Sequence, residues 1–195
     1  PMAIEEPSVV AAASHAAKLA RSGGGIFAYN TGAVMIGQIQ IVDCIAPHIS
    51  RIKILEAKNQ ILKNANDQDP LLVSLGGGAK DINVKVIQGE NSKMVIAELI
   101  VDCKDAMGAN AVNTMTEAVS PLIEKISGGK VLLRIISNLA TKRLVRVRTK
   151  IPKNLIGGEN VVDAIINAYQ FAAADPYRCA THNKGIMNGV IAVAL

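Results

Sequence analysis

The chain has 195 residues, half of them apolar, with a formal net charge of +5 and an aromatic share of only 3%. This composition is typical of a soluble globular protein and excludes intrinsic disorder, and no apolar run reaches the roughly 18 residues that a membrane helix needs. Because aromatic residues for base stacking are so scarce, the positive charge does not indicate a nucleic-acid-binding protein.

The first predicted element is a helix over residues 5–21, where small apolar residues fall on one broad face and Pro7 suits the first turn. Three glycines at 23–25 end this helix. From Val34 the pattern changes to a period of two, with Ile39 and Ile41 on one side of a predicted strand. The change of period indicates a domain boundary.

The middle of the chain begins with an amphipathic pattern that predicts one helix over residues 48–66. Two alternating segments follow, at 82–87 and 94–101, and the Gly, Asn and Ser residues between them are typical of a turn. These two segments are predicted to form a β-hairpin.

A further helix is predicted to start near residue 108 or 109 and to end at Gly128, with a kink or break at Pro121. The apolar segment 130–137 is then the last strand of this region. The order from Val34 to Ser137 is therefore β-α-β-β-α-β, which is typical of a ferredoxin-like domain in an α+β protein.

The remaining segment starts with residues 142–150, where Arg146 and Arg148 alternate with valines. A half-exposed strand explains this alternation better than a phosphate-binding site does. Residues 160–174 predict a helix that Asp175 and Pro176 terminate. Its predicted buried stripe consists of Val161, Val162, Ile165, Ile166, Tyr169 and Ala173.

Three clusters combine reactive side chains with glycine or a helix start. Residues 5–8 (EEPS) place two acids and a serine where they could cap a helix, which is their simplest interpretation. Residues 102–113 (DCKDAMGANAVN) form a strand-to-helix turn whose N–H groups could approach a phosphate or a ribose. This turn lacks the GxGxxG pattern, so a Rossmann fold is not indicated.

The third cluster is the segment 175–189, DPYRCATHNKGIMNG, which we predict to be an active-site loop centred on Lys184. A lysine beside Gly185 and amide side chains could direct its ammonium at a carbonyl oxygen and stabilise negative charge there. The alternative is a solvated polar turn. The number of polar groups beside long apolar stretches leaves both interpretations open.

The three cysteines form no CxxC pair and predict a reducing compartment, the cytoplasm. Cys179 could be a nucleophilic thiolate activated by His182 or Lys184, although a small apolar role is simpler. His15 and His48 have no partners at metal-ligand spacing, so no metal site is predicted. Pro1 as the first residue and the closing apolar segment 189–195 suggest a fragment.

Five segments in the same order resemble the class II 3-hydroxy-3-methylglutaryl-CoA (HMG-CoA) reductases, and the resemblance extends over nearly the whole chain. The segments are EEPSVVAAAS, SLGGGAKDI, DAMGANAVNTM, SNLA and DPYRCATHNKGIMNG. The resemblance implies a large helical domain that binds HMG-CoA (1–32 and 139–195), interrupted by a small ferredoxin-like domain that binds the nicotinamide cofactor (33–138).

The family's functional positions map onto single residues of this sequence. Glu6 and Lys184 match the catalytic acid and lysine, Ser8 and Arg178 match positions that hold the substrate's carboxylate, and Asn188 matches a supporting position. The positions that match cofactor contacts are Asp69, Asp105, Met107, Gly108, Asn110 and Asn138.

The cofactor implied by the resemblance is NAD or NADP. Asp69 matches the acid that accepts hydrogen bonds from the adenosine ribose in NAD-preferring members, and a carboxylate there would repel a 2′-phosphate. The expectation is therefore NAD, although Lys53, Lys58 or Lys63 could still meet a phosphate.

The implied reaction interconverts HMG-CoA with mevalonate and coenzyme A by two hydride transfers, with Lys184 stabilising each oxyanion and Glu6 donating a proton. The family's downstream aspartate and histidine have no counterpart here, so the isolated chain is expected to be inactive. The full-length enzyme is expected to be a cytoplasmic homo-oligomer built from dimers, without a nucleic-acid or membrane partner. The alternative is a ferredoxin-like regulatory module that binds a small ligand or RNA.

Overall fold

A computed structural model describes Met2 and residues 4–194 of the chain. The chain divides into two compact units. Asn30–Val145, the middle part of the sequence, is called here the inner unit. The described residues up to Tyr29 and from Arg146 onward, which flank it in the sequence, are called the outer unit. Pro1 and Leu195, which contributed to the expectation of a fragment, lie outside the described residues.

Both units contain helices and strands. The helices are α1 (Pro7–Ser22), α2 (Pro47–Glu56), α3 (Lys58–Asn66), α4 (Pro70–Ser74), α5 (Ala109–Ser127), α6 (Glu159–Ala174) and α7 (Pro176–Ala194), with a 3-10 turn at Lys153–Leu155. The strands are β1 (Ile26–Asn30), β2 (Val34–Val42), β3 (Gly78–Gln88), β4 (Lys93–Asp102), β5 (Lys130–Ile136) and β6 (Val145–Thr149). Over residues 4–194, none of the helices has the combination of length and hydropathy needed to cross a bilayer.

The inner unit is built on a four-stranded sheet with the order β3-β4-β2-β5, in which neighbouring strands are antiparallel. Alternate residues of β2 are buried, as expected for a strand that packs one face against a core. Helices α2, α3 and α5 pack against the sheet. Ile39, Leu99 and Met115 are fully buried in the resulting core.

The outer unit consists of helices and a short ribbon of two antiparallel strands, β1 and β6. Helix α7 packs against both α1 and α6. On the ribbon, the guanidinium of Arg146 lies over the ring of Tyr29 and that of Arg148 over the ring of Phe27. The ribbon's side chains are exposed.

The expected α+β class is confirmed at the level of mixed helices and two antiparallel sheets. The structure differs from the expectation in three details. The predicted helix 48–66 is two helices separated at Ala57, whose ψ of 8° lies outside the helical range. Helix α5 continues without a break through Pro121, and β1 and α4 were not predicted.

The segment 175–189 was predicted to be a loop and is instead part of the continuous helix α7. Asp175 explains the helix start, because its Oδ1 accepts a hydrogen bond from the N–H of Arg178 at 2.7 Å and Pro176 occupies the first turn. An aspartate followed by proline is a helix-start signal as well as a terminator of the preceding helix. We expected only the terminator.

The predicted buried stripe of α6 is also wrong. Ile165 and Tyr169 are 55% and 66% exposed, and within α6 only Ala172 is buried. The amphipathic pattern is present, but no surface of the described residues covers it.

Candidate functional site

Four of the predicted cofactor residues line one cavity of about 510 Å³ in the inner unit. They are Asp69, Met107, Gly108 and Asn110. Gln68 and Thr114, which the sequence did not single out, line the same cavity. Thr114 lies one helical turn after Asn110, so the helical repeat could have identified it.

The loop from Asp102 to Gly108 turns the chain from β4 into α5 through two residues with positive φ, Lys104 at 52° and Gly108 at 101°. Gly108 is the N-cap of α5, and the first turn of that helix has no side-chain cap. Its N–H groups are therefore available to a polar or anionic ligand at the positive end of the helix dipole.

Only glycine suits position 108, for two independent reasons. A φ of 101° is disfavoured for any residue with a Cβ. A Cβ at this position would also lie 2.9 Å from the Cβ of Cys103 and close to its sulfur. Cys103 is buried beneath the loop, and this burial raises the pKa of its thiol. The cysteine therefore acts as an apolar support for Gly108.

Asp69 has a structural role besides the predicted one. Its Oδ1 accepts a hydrogen bond from the N–H of Leu72 at 2.9 Å and so caps α4. Its second carboxylate oxygen makes no hydrogen bond within the described residues and remains available to a ligand in the cavity. Both interpretations of this aspartate, as a cap and as a ligand-binding group, are compatible with the geometry.

Asp105 and Asn138 do not line this cavity. Asp105 lines a second cavity of about 480 Å³ together with Lys104 and Arg143. Asn138 lies in the turn after β5. The end of β5 is fixed because the side chain of Asn113 accepts a hydrogen bond from the N–H of Ile136 at 2.9 Å. The N–H of Ser137 also donates to Ile36 at 2.8 Å.

The polar cluster at residues 5–8 lies at the start of α1 in the outer unit. Glu6 is the N-cap residue in an extended conformation, but its carboxylate caps no helical N–H. Its Oε1 instead accepts a hydrogen bond from the hydroxyl of Ser8 at 2.9 Å. Both side chains are exposed. The predicted catalytic acid and one predicted substrate contact are therefore direct neighbours.

Lys184 and Asn188 lie one helical turn apart on α7, and the ammonium of Lys184 donates to the Oδ1 of Asn188 at 2.9 Å. Both residues line a shallow cavity of about 460 Å³ with Thr181 and Gly185. Arg178 is half-buried and does not line this cavity. The helix, rather than a loop, brings Lys184 and Asn188 together.

Cys179 is exposed, and the Nδ2 of Asn183 lies 3.8 Å from its sulfur. It forms no hydrogen bond with His182 or Lys184. In the part of the chain that the structure describes, no group of three His, Cys, Asp or Glu side chains could hold a metal ion.

Comparison with known proteins gives consistent matches. The family model described as hydroxymethylglutaryl-coenzyme A reductase matches residues 1–195. The chain is 60% identical over 195 residues to the 3-hydroxy-3-methylglutaryl-coenzyme A reductase of Archaeoglobus fulgidus, covering all of this chain and 45% of that protein. It is 30% identical over 210 residues to a probable reductase of the same kind from Borreliella burgdorferi, again covering 45% of that protein.

Two solved structures from Streptococcus pneumoniae are also similar. One is a 3-hydroxy-3-methylglutaryl-coenzyme A reductase, 42% identical with a TM-score of 0.93, covering 99% of this chain and 53% of that one. The other is a class II reductase bound to NADPH in open conformations, 43% identical with a TM-score of 0.93, covering 98% of this chain and 47% of that one.

The chain spans about half the length of the curated relatives it matches. Within that span the family model matches from the first residue to the last, and the class II structures share the fold of both units. On this evidence the chain belongs to the class II branch of the hydroxymethylglutaryl-coenzyme A reductase family.

Proposed function

We propose that this chain is part of an enzyme that interconverts HMG-CoA with mevalonate and coenzyme A, using a nicotinamide cofactor. The observation that carries the proposal is the single cavity shared by Asp69, Met107, Gly108 and Asn110. These residues lie up to 41 positions apart in sequence, and the fold brings them together. The family membership supplies the reaction class.

The inner unit is proposed to be the ferredoxin-like cofactor domain. The order β3-β4-β2-β5 of antiparallel strands, with α2, α3 and α5 packed against the sheet, supports this assignment. The outer unit is proposed to belong to the substrate-binding domain. Its lysine and glutamate side chains carry the acid-base groups that thioester reduction needs.

The cofactor cavity fits a dinucleotide in its chemistry. Asp69 would accept hydrogen bonds from ribose hydroxyls, and the uncapped N–H groups at the start of α5 would face polar or anionic groups. Asp105 and Asn138 are proposed as further contacts at the nicotinamide end. When bound, the cofactor supplies the reducing equivalents, and the chain's residues orient it.

The outer unit would carry out the charge stabilisation and proton transfer. Lys184 would stabilise the oxyanion that develops on the thioester carbonyl oxygen, with Asn188 holding its ammonium in place. Glu6 would give a proton to the carbonyl oxygen, and its hydrogen bond with Ser8 would fix the carboxyl group's orientation. Arg178 and Ser8 would bind the substrate's free carboxylate.

NAD is the proposed cofactor, because the carboxylate of Asp69 would repel a 2′-phosphate at a cost on the order of a kcal/mol. A class II relative from Streptococcus pneumoniae has been solved with NADPH, so the choice between the two needs a direct test. Asp69→Asn is the informative variant, because asparagine caps a helix as well as aspartate does and removes only the charge.

We predict that Asp69→Asn shifts the preference toward NADPH by about tenfold, as measured by the ratio of kcat/KM with NADPH to kcat/KM with NADH. Asp67→Asn, on the exposed turn two residues earlier, is the matched control. An unchanged ratio in Asp69→Asn, or an equal shift in both variants, would rule out the proposed role of Asp69.

The experiment that tests the function is HMG-CoA-dependent oxidation of NADH or NADPH by the full-length protein. Lys184→Ala should lower kcat by about a hundredfold to a thousandfold, as loss of an oxyanion-stabilising group does. Lys153→Ala is the control, because Lys153 belongs to the same unit and makes only an exposed ion pair with Glu159. Turnover of HMG-CoA by the isolated 195-residue chain would contradict the assignment of this chain as one part of the enzyme.

The full-length protein is further proposed to be a cytoplasmic homo-oligomer built from dimers, with HMG-CoA, mevalonate and coenzyme A as its ligands. The exposed apolar side chains of α6 and α7, such as Ile165, Tyr169 and Ile191, support an additional buried interface in the complete protein. Sedimentation velocity of the full-length protein tests this, and a monomer at micromolar concentration would contradict it.

A further inference from the structure

Arg143 makes an unusual contact with the proposed cofactor loop. Its Nη1 donates one hydrogen bond to the carbonyl oxygen of Ala106 at 2.8 Å and another to that of Met107 at 3.2 Å. These are the two carbonyls directly before the left-handed Gly108 that starts α5. Nothing in the sequence motifs had singled out this arginine.

The contact fixes the orientation of two peptide groups. In a trans peptide the carbonyl and the following N–H point in opposite directions. Because the carbonyls of Ala106 and Met107 turn toward Arg143, the N–H groups of Met107 and Gly108 point away from its guanidinium. Cys103 and Met35 also pack where a Cβ of Gly108 would lie, which keeps the loop backbone close to the core.

Arg143 is itself held in place by Thr31. The hydroxyl of Thr31 accepts a hydrogen bond from the N–H of Leu144 at 2.9 Å and lies 3.2 Å from the carbonyl oxygen of Lys142. The N–H of Thr31 donates to the carbonyl oxygen of Leu144 at 2.9 Å. Thr31 thus fixes the backbone on both sides of Arg143, and this limits the positions that the guanidinium can occupy.

The charged residues near Arg143 are consistent with a guanidinium that binds the loop backbone. Arg143 lines the cavity that contains Asp102, Lys104 and Asp105, whereas the cavity with Asp69 and Asn110 has none of these charged residues in its lining. Asp102 is paired with Lys104 at 3.0 Å. No described salt bridge competes for Arg143.

We infer that Arg143 is a positioning residue, which holds the loop Ala106–Gly108 in the conformation that binds the nicotinamide cofactor. The inference rests on the proposed function in so far as this loop is the cofactor loop. Arg143 acts through the backbone of the loop and not on the substrate. Its loss should therefore weaken binding of NADH and NADPH to the same extent, unlike a change at Asp69.

The test is direct titration of the full-length protein with NADH and with NADPH, followed by cofactor fluorescence, together with steady-state kinetics. Arg143→Met removes the donors and keeps the length of the side chain, and it should raise the Kd of both cofactors about tenfold, as expected for lost hydrogen bonds from a charged donor. The KM for HMG-CoA should change by less than about twofold. Arg143→Lys, which restores a charged donor, should recover part of the affinity.

Two further variants separate this role from a general loss of stability. Arg134→Met is the matched control, since Arg134 is in the same unit but pairs with Glu117 on the surface, and its cofactor affinity should equal that of the wild type. Thr31→Val should weaken both cofactors about threefold by releasing the backbone around Arg143, and Thr31→Ser should not. If Arg143→Met fails to fold, Arg143→Lys and Thr31→Val decide the question.

The outcomes are distinguishable. Wild-type Kd values in Arg143→Met would overturn the inference and leave the proposed function standing. If Arg143→Met fails to fold, wild-type Kd values in both Arg143→Lys and Thr31→Val would do the same. Cofactor binding that depends on Arg143, in a protein that does not turn over HMG-CoA, would overturn the proposed substrate and support the inference. A wild-type protein that binds neither cofactor would overturn both.

Discussion

The two units of this chain bury their apolar residues to very different extents. Every member of the buried apolar cluster lies in the inner unit, between Met35 and Val131. In the outer unit the buried apolar residues of the described chain are three alanines, Ala20, Ala172 and Ala192. In the inner unit, the sheet and the helices packed against it bury each other's apolar side chains. In the outer unit, α6 and α7 leave large apolar side chains exposed.

The comparison shows that an amphipathic pattern predicts which face of a helix becomes buried but does not identify the surface that covers it. Helices α5 and α6 are both amphipathic, yet Met115 of α5 is fully buried and Tyr169 of α6 is 66% exposed. Most of the cooperative stability of this chain should therefore come from the inner unit.

The largest expected effect comes from comparing the loss of stability caused by the same substitution, isoleucine to alanine, in each unit. Ile39→Ala removes a fully buried side chain of β2 and should lower the free energy of unfolding by about 3 kcal/mol. Ile165→Ala, at a position that is 55% exposed on α6, should lower it by less than about 1 kcal/mol. Urea unfolding of the 195-residue chain measures both. Equal losses would show that the outer unit has a core of its own.

A pair of glycine substitutions should produce changes of opposite sign. A Cβ on Gly37 would lie 2.7 Å from a methyl group of Val112 and clash with Thr116, so Gly37→Ala should destabilise the chain by about 2 kcal/mol. A Cβ on Gly189 meets nothing within 4 Å, and alanine is the better helix former, so Gly189→Ala should stabilise α7 by up to about 1 kcal/mol. Thermal unfolding followed by circular dichroism gives the sign of each change, and a loss of stability in Gly189→Ala would show that α7 packs closely at that position.

The smallest expected effect concerns acid stability. Burial alone would raise the pKa of Glu98, but hydrogen bonds from Lys85 and Gln38 outweigh it and hold this pKa below its usual value. A lowered pKa in the folded state stabilises the protein above the unfolded-state pKa, and this contribution is lost as the pH falls through the folded-state value.

Glu98→Gln should therefore cost up to about 1 kcal/mol at pH 7, a figure discounted because Lys85 is half exposed. The cost should decline once the pH falls below the ordinary glutamate pKa of 4.5 and should disappear below the lower folded-state pKa of Glu98. Urea unfolding at a series of pH values measures it. Glu159→Gln, which removes an exposed ion pair of the outer unit, is the matched control for replacing a carboxylate by an amide. Parallel curves for Glu98→Gln and the wild type would contradict the prediction.

Much of the inner unit could be predicted because its signals are local and consistent. The alternation in β2, the turn between β3 and β4 and the glycine after α5 each have a direct backbone cause. The division of residues 48–66 at Ala57 could not be predicted, because the helical pattern continues across it. The helix over residues 176–189 could not be predicted from composition, because its polar residues and two glycines are poor helix formers. The cap at Asp175 and the packing of α7 against α1 and α6 stabilise it.

The sequence by itself determined the family, the four strands of the inner unit in chain order and the residue types of the candidate site, because short motifs and side-chain periodicity are local properties of the chain. Only the tertiary structure decided which of these residues meet. It placed Asp69 in one cavity with Asn110, and it placed Arg143 against the carbonyls before Gly108. Contacts between residues separated by more than 30 positions depend on how strands and helices pack, and no local pattern encodes them.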